Sequence, residues 1–143
     1  MRKLSLLFLF TLLVNSIYSQ NWQTNFDEVK KQAQASNKNI ILVFSGSDWC
    51  APCIKLDKEI FKSNEFISYS NEHFILLKAD FPRKKQNTLT AEQQEHNRQL
   101  AKTYNKNGYF PFVVTLSPAG KVLGQMGYEK ISPTEYIHKL AAF

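Results

Sequence analysis

Ile40-Ile41-Leu42-Val43-Phe44-Ser45-Gly46-Ser47-Asp48-Trp49-Cys50-Ala51-Pro52-Cys53 joins an apolar run to the only two cysteines of the 143-residue chain. The run is short, rich in β-branched residues and closed by a small polar loop, which predicts a buried strand over 40–44. Beyond the cysteines, Cys53, Leu56 and Ile60 fall on one face of a helix. The dithiol therefore stands where a strand passes into a helix. The first turn of a helix carries N–H groups without partners inside the helix, together with the positive end of its dipole. A thiolate at Cys50 gains from both, and the thiolate is the reactive form of the side chain. Cys53, one turn later, can reach back and close a disulfide. Pro52 falls within the first turn, where its missing N–H costs little.

Other readings fit the pair less well. A structural bridge across so short a loop would constrain the unfolded chain little. A structural zinc site takes four ligands, and His73, His96 and His138 stand singly. His96 and His138 fall on expected helices and read as surface residues. No metal site and no cofactor are expected beyond the cysteine pair itself. Two alternatives stay open: Cu(I), a soft ion suited to thiolates, held by the pair, and a module whose dithiol traps clients without turnover.

A strand, then Trp-Cys-Ala-Pro-Cys, then a helix resembles the active site of the thioredoxin superfamily. Phe110-Pro111 ahead of Phe112-Val113-Val114-Thr115-Leu116 is similar to that family's cis-proline and the strand after it. Ser117-Pro118-Ala119-Gly120-Lys121 resembles its hairpin turn. Lys55 to Asn64 also resembles the charged helix of periplasmic thioredoxin-like domains, such as the C-terminal domain of the membrane thiol:disulfide interchange reductase. The resemblance covers about residues 22–143. It implies an α/β, thioredoxin-like fold with a central mixed sheet flanked by helices. It implies Cys50 and Cys53 as the catalytic pair, and Trp49, Phe110 and Pro111 as the substrate-binding residues.

The residues outside the motif fit one domain behind an export signal. Arg2 and Lys3 precede an apolar core over 4–14 that is too short for the roughly 20 residues a membrane-spanning helix needs. A secretory signal peptide is expected over 1–19 and a thioredoxin-like domain over 20–143, placing the mature protein in the periplasm or outside the cell. The formal charge is +6, about +4 once Arg2 and Lys3 are removed. The basic residues are dispersed apart from Arg83-Lys84-Lys85, which reads as a solvated loop, so no nucleic-acid partner is expected. A monomer is expected. Helices are predicted over 24–36 with Thr24 and Asp27 at capping-box spacing, from Ser63 or Asn64 to Tyr69, and over 90–104 with Thr90 and Gln93 as a second box. The last helix is predicted to start at Ser132, with Pro133 at its first position and Glu135 closing a third box. Strands are predicted over 74–79, 112–116 and 121–127.

The chemistry this predicts is thiol–disulfide exchange: Cys50 attacks a substrate disulfide and Cys53, shielded beneath, resolves the mixed disulfide. Ala51 and Pro52 place no charge between the cysteines. The helix N-terminus and Lys78 are then the available thiolate stabilisers, and the potential expected is about −270 mV rather than about −120 mV. The expected role is reduction or isomerisation of disulfides in exported client proteins, with electrons from a membrane thiol donor. Two positions depart from the family. Phe44 stands six residues before Cys50, where thioredoxins carry a buried acid that assists Cys53, and Asp48 on the exposed side is not expected to replace it. Phe110 is bulkier than the usual residue before the proline.

Overall fold

The computed structural model describes residues 20–143, so the expected signal peptide lies outside the described residues. Strand β2 (Asn39–Ser45) pairs parallel with β3 (Phe74–Asp80) and antiparallel with β4 (Phe112–Leu116). On the outer edges, β1 (Trp22–Gln23) runs parallel to β3 and β5 (Val122–Met126) antiparallel to β4. The sheet order is β1-β3-β2-β4-β5. The sheet is mixed and helices cover both of its faces, the architecture expected from the sequence. Two residues of β1 carry too little periodicity to be read from the sequence. Their strand character comes from the register Trp22 to Leu76 and Gln23 to Leu77 on the partner.

Alternation along β2 explains its continuous apolar run. Ile41 and Val43 join a core with Leu56, Ile60, Phe61, Phe66, Tyr136, Ile137 and Leu140 on one face. Ile40, Leu42 and Phe44 join Val29, Ala33, Leu77, Ala79, Leu100 and Val114 on the other. A strand covered on both faces has no polar side to present. The first core is roofed by α2 (Ala51–Leu56), α3 (Asn64–His73) and α5 (Pro133–Ala141), the second by α1 (Phe26–Ser36) and α4 (Ala91–Tyr104). The helix after the cysteines continues beyond α2 as one π-turn, Asp57–Phe61, which buries Ile60 and Phe61.

Capping at three helix starts follows local chemistry, with two corrections to the sequence reading. Asn25 caps α1 in place of Thr24, its Oδ1 accepting the N–H groups of Asp27 and Glu28. Thr90 caps α4, but Gln93 does not complete a box, because its amide reaches Thr24 O and Asn97 Oδ1 instead. Ser132 and Glu135 form the expected reciprocal box of α5. Helix α3 runs four residues beyond Tyr69 to His73. Among the described residues, no helix is long and apolar enough to cross a membrane.

Candidate active site

Residues 45–50 leave the end of β2 and turn into α2, whose first helical residue is Ala51. Cys50 is the N-cap, with extended backbone (φ −94°, ψ 101°), and its Sγ accepts the N–H of Cys53 at 3.3 Å. Cys50 thus occupies the position where serine or aspartate oxygens usually satisfy a helix start. The two sulfurs are bonded to each other, 2.09 Å apart. Cys53 Sγ accepts the N–H of Gly46 at 3.5 Å, so each sulfur faces a backbone donor. Exposure does not separate the cysteines as the sequence reading expected: Cys50 is 5 % exposed and Cys53 3 % in the disulfide form. The asymmetry between them is electrostatic, since Cys50 alone holds the cap position. Ala51 and Pro52, both exposed, form the outer lip of the first turn.

Trp49 braces the motif against its surroundings. Its Nε1–H donates to the carbonyl of Phe81 at 2.7 Å, and its ring meets Phe110 edge-on, centroids 5.5 Å apart. Phe110 in turn packs edge-on against Phe81 at 5.5 Å. A β-carbon at Gly46 would stand 2.3 Å from the Trp49 indole, so this loop position has room for glycine alone. The extra bulk of Phe110 therefore fills the angle between the motif loop and the end of β3. The Phe110–Pro111 peptide bond is cis, as the resemblance implied. Pro111 and Pro52 line one open groove of about 530 Å³, whose walls include Tyr109, Phe110, Phe112 and Tyr128. Tyr128 donates its hydroxyl to Glu59 at 2.5 Å, and that bond raises the phenol's pKa above its ordinary value.

Lys78 does not enter the site. Its ammonium lies 3.6 Å from Asp57 and 4.9 Å from the centre of the Trp22 ring. Asp57 caps the C-terminal end of α2, the end opposite Cys50. Phe44 is fully buried, in contact with the second core and 6.4 Å from the Phe112 ring. Phe44 faces the second core, beneath α1 and α4, whereas Leu56 and Ile60 of the cysteine helix cover the first core on the opposite face of the sheet.

A thioredoxin-like domain model matches residues 26–143. The chain belongs to the thioredoxin-like family. It is 34 % identical over 119 residues to the disulfide bond reductase DsbH of Chlamydia pneumoniae, across 83 % of this chain and 69 % of that relative. A solved structure of a DsbH oxidoreductase superposes with a TM-score of 0.79 at 34 % identity, covering 89 % of this chain and 87 % of that one. The oxidised C-terminal domain of Neisseria meningitidis DsbD shares the fold, with a TM-score of 0.53 at 16 % identity over 81 % of this chain and 90 % of that one. With its cysteine pair at a helix cap, this thioredoxin-like chain is a thiol–disulfide oxidoreductase.

Three further residues shape the site of this thioredoxin-like domain without having been singled out for it by the sequence. Asp48 accepts the backbone N–H groups of Arg83 (2.9 Å) and Lys84 (3.0 Å) and the amide of Asn87 (2.9 Å). These donors, Arg83 N–H foremost, hold its carboxyl below the ordinary aspartate pKa. Asp80 accepts from Ser47 N–H at 2.9 Å and from the Ser47 hydroxyl. Asn97, 1 % exposed on α4, donates to Asp80 O at 2.8 Å. Together they tie the loop before the cysteines to the loop after β3. The one local hint was that aspartates flank both loops; their partners lie more than 30 residues away in sequence.

Proposed function

We propose that this oxidoreductase runs as a reductase, returning disulfide-containing client proteins to the thiol form in the periplasm or outside the cell. The observation that carries the reading is the placement of Cys50 Sγ at the cap of α2, in reach of the Cys53 N–H. In the reduced protein this site favours the Cys50 thiolate. The thiolate attacks one sulfur of a client disulfide, and the client's other sulfur leaves as a thiol once it takes a proton. Cys53 then loses its proton and attacks Cys50 Sγ. The second client sulfur leaves, and the Cys50–Cys53 disulfide remains. Two electrons have passed to the client, so a dithiol donor must restore the pair. A membrane thiol carrier suits a protein made with the basic start and apolar core of residues 2–14. The similarity to a relative named a disulfide bond reductase supports the direction of transfer.

The groove beside Pro52 and Pro111 suits an extended client segment, with the backbone at Phe110 pairing with it as a short added strand and Trp49 packed against Phe110. Turnover is the test. With a small dithiol as donor, catalytic amounts of the protein should reduce the interchain disulfides of insulin. Cys53→Ser should stop turnover and leave a stoichiometric mixed disulfide on Cys50. If the wild-type protein also stops at a stoichiometric adduct, it is a client trap and the reductase reading is wrong. Intact mass of the exported protein tests the compartment: loss of about the first 19 residues is expected, and an uncleaved chain held in the cytoplasm would refute it.

A further inference from the structure

Arg83-Lys84-Lys85 reads from sequence as a solvated basic loop, but the structure builds it into the rim of the cysteine site. Asp48, two residues before Cys50, holds the backbone of Arg83 and Lys84 through both carboxylate oxygens. The Arg83 guanidinium carbon then sits 3.8 Å from the centre of the Trp49 ring, the residue next to Cys50. A guanidinium stacked on indole is held by cation–π attraction and keeps its in-plane N–H donors free. Among the described residues, no ion pair takes up this guanidinium. The side chains of Lys84 and Lys85 beside it are exposed. The two nearby carboxylates, Asp48 and Asp80, are turned inward onto loop donors. Across the groove, Glu59 is bonded by Tyr128. The outward charge on the Trp49 side of the site is therefore positive, with Arg83 held on the indole and, among the described residues, no carboxylate paired with it.

We propose that this rim selects client disulfides flanked by acidic residues. Arg83 takes a client carboxylate in a bidentate pair, and Lys84 and Lys85 draw the acidic segment in. A planar fork held on an aromatic face loses little freedom when it pairs with a carboxylate. Charge at the rim also speeds encounter with an oppositely charged partner, an effect that fades once ionic strength shortens the screening length. The inference deepens the oxidoreductase reading and rests on it.

The test uses three peptides sharing one intramolecular disulfide, with acidic, neutral or basic flanks, reduced by the whole protein at low salt. The wild-type protein should reduce the acidic peptide about tenfold faster, in kcat/KM, than the neutral one, and the basic one slower still. The acidic-to-neutral ratio should fall towards one in about 0.5 M salt, where screening acts within a few ångströms. It should also fall towards one in the triple variant Arg83→Gln, Lys84→Gln, Lys85→Gln. That variant keeps the Asp48 clamp, because the clamp uses backbone N–H groups and Asn87 rather than the replaced side chains. A second triple variant, Lys31→Gln, Lys38→Gln, Lys121→Gln, removes the same charge elsewhere; Lys38 precedes β2 and Lys121 lies in the β4–β5 turn, at the far end of the sheet. It should keep the ratio. A ratio near one in the wild type, or one lost equally in both variants, overturns the inference while leaving the reductase reading intact. Failure to reduce any of the three peptides overturns both.

Discussion

Replacing Phe44 by aspartate tests how this protein manages without the buried acid of its family. Phe44 is fully buried in the core formed with Val29, Leu42, Leu77, Leu100 and Val114. Truncating a buried phenylalanine costs about 3–5 kcal/mol. A buried carboxyl without a partner adds about 1–3 kcal/mol and stays protonated unless something compensates it. The loss of roughly 4–8 kcal/mol is a large share of the roughly 5–15 kcal/mol that holds a domain together. Phe44→Asp should therefore show a much lower urea midpoint, and Phe44→Leu only a modest fall. The functional effect should run the other way. With phenylalanine standing six residues before Cys50 in place of the family's acid, the Cys53 proton should leave to solvent base before that sulfur attacks. Decay of a preformed Cys50 mixed disulfide should then rise steeply with pH, approaching about tenfold per unit while the thiolate is scarce. In the folded fraction of Phe44→Asp, measured by near-UV circular dichroism, an internal base should speed single-turnover decay and flatten that slope as the new acid ionises. Phe44→Leu should keep the wild-type slope. If folded Phe44→Asp resolves at the wild-type rate at every pH, Phe44 does not occupy the acid's position and the reasoning fails.

In the reduced protein, Cys50 should be alkylated by iodoacetamide well ahead of Cys53 near neutral pH, because it alone holds the cap; peptide mapping after a brief pulse reads this, and equal labelling would deny the cap its role. Asp48 carries a lowered pKa, chiefly through Arg83 N–H, so its bonds add stability above the unfolded value of about 3.9 and lose it as pH falls through the lower folded value. The melting temperature of Asp48→Asn should accordingly lie below wild type at pH 7, and the gap should narrow as the pH falls below the unfolded value; a gap that stays constant in acid would mean that the charge is not what the clamp uses.

Local chemistry fixed much of this protein in advance. The apolar run over 40–44, the cysteine pair and the serine and threonine caps at 63, 90 and 132 each state their structure within a few residues. Such signals are legible because they depend on backbone sterics and on hydrogen bonds that span one turn. The cysteine pair at a strand-to-helix junction also carried the chemistry, since dithiol redox needs little beyond two sulfurs and a helix start. What tertiary structure alone decided lies between segments distant in sequence. Two residues became β1 only because β3 offered an edge. Lys78, offered as a thiolate stabiliser, went to Asp57 and Trp22 because its register beside Val43 sets it on the first-core face, level with the C-terminal end of α2 rather than the Cys50 cap. The basic loop gained a place in the site because Asp48 reached it across 35 residues and Trp49 gave Arg83 a surface to lie on. Those contacts are set by where the chain's folded path brings side chains together, and no periodicity in the sequence records it.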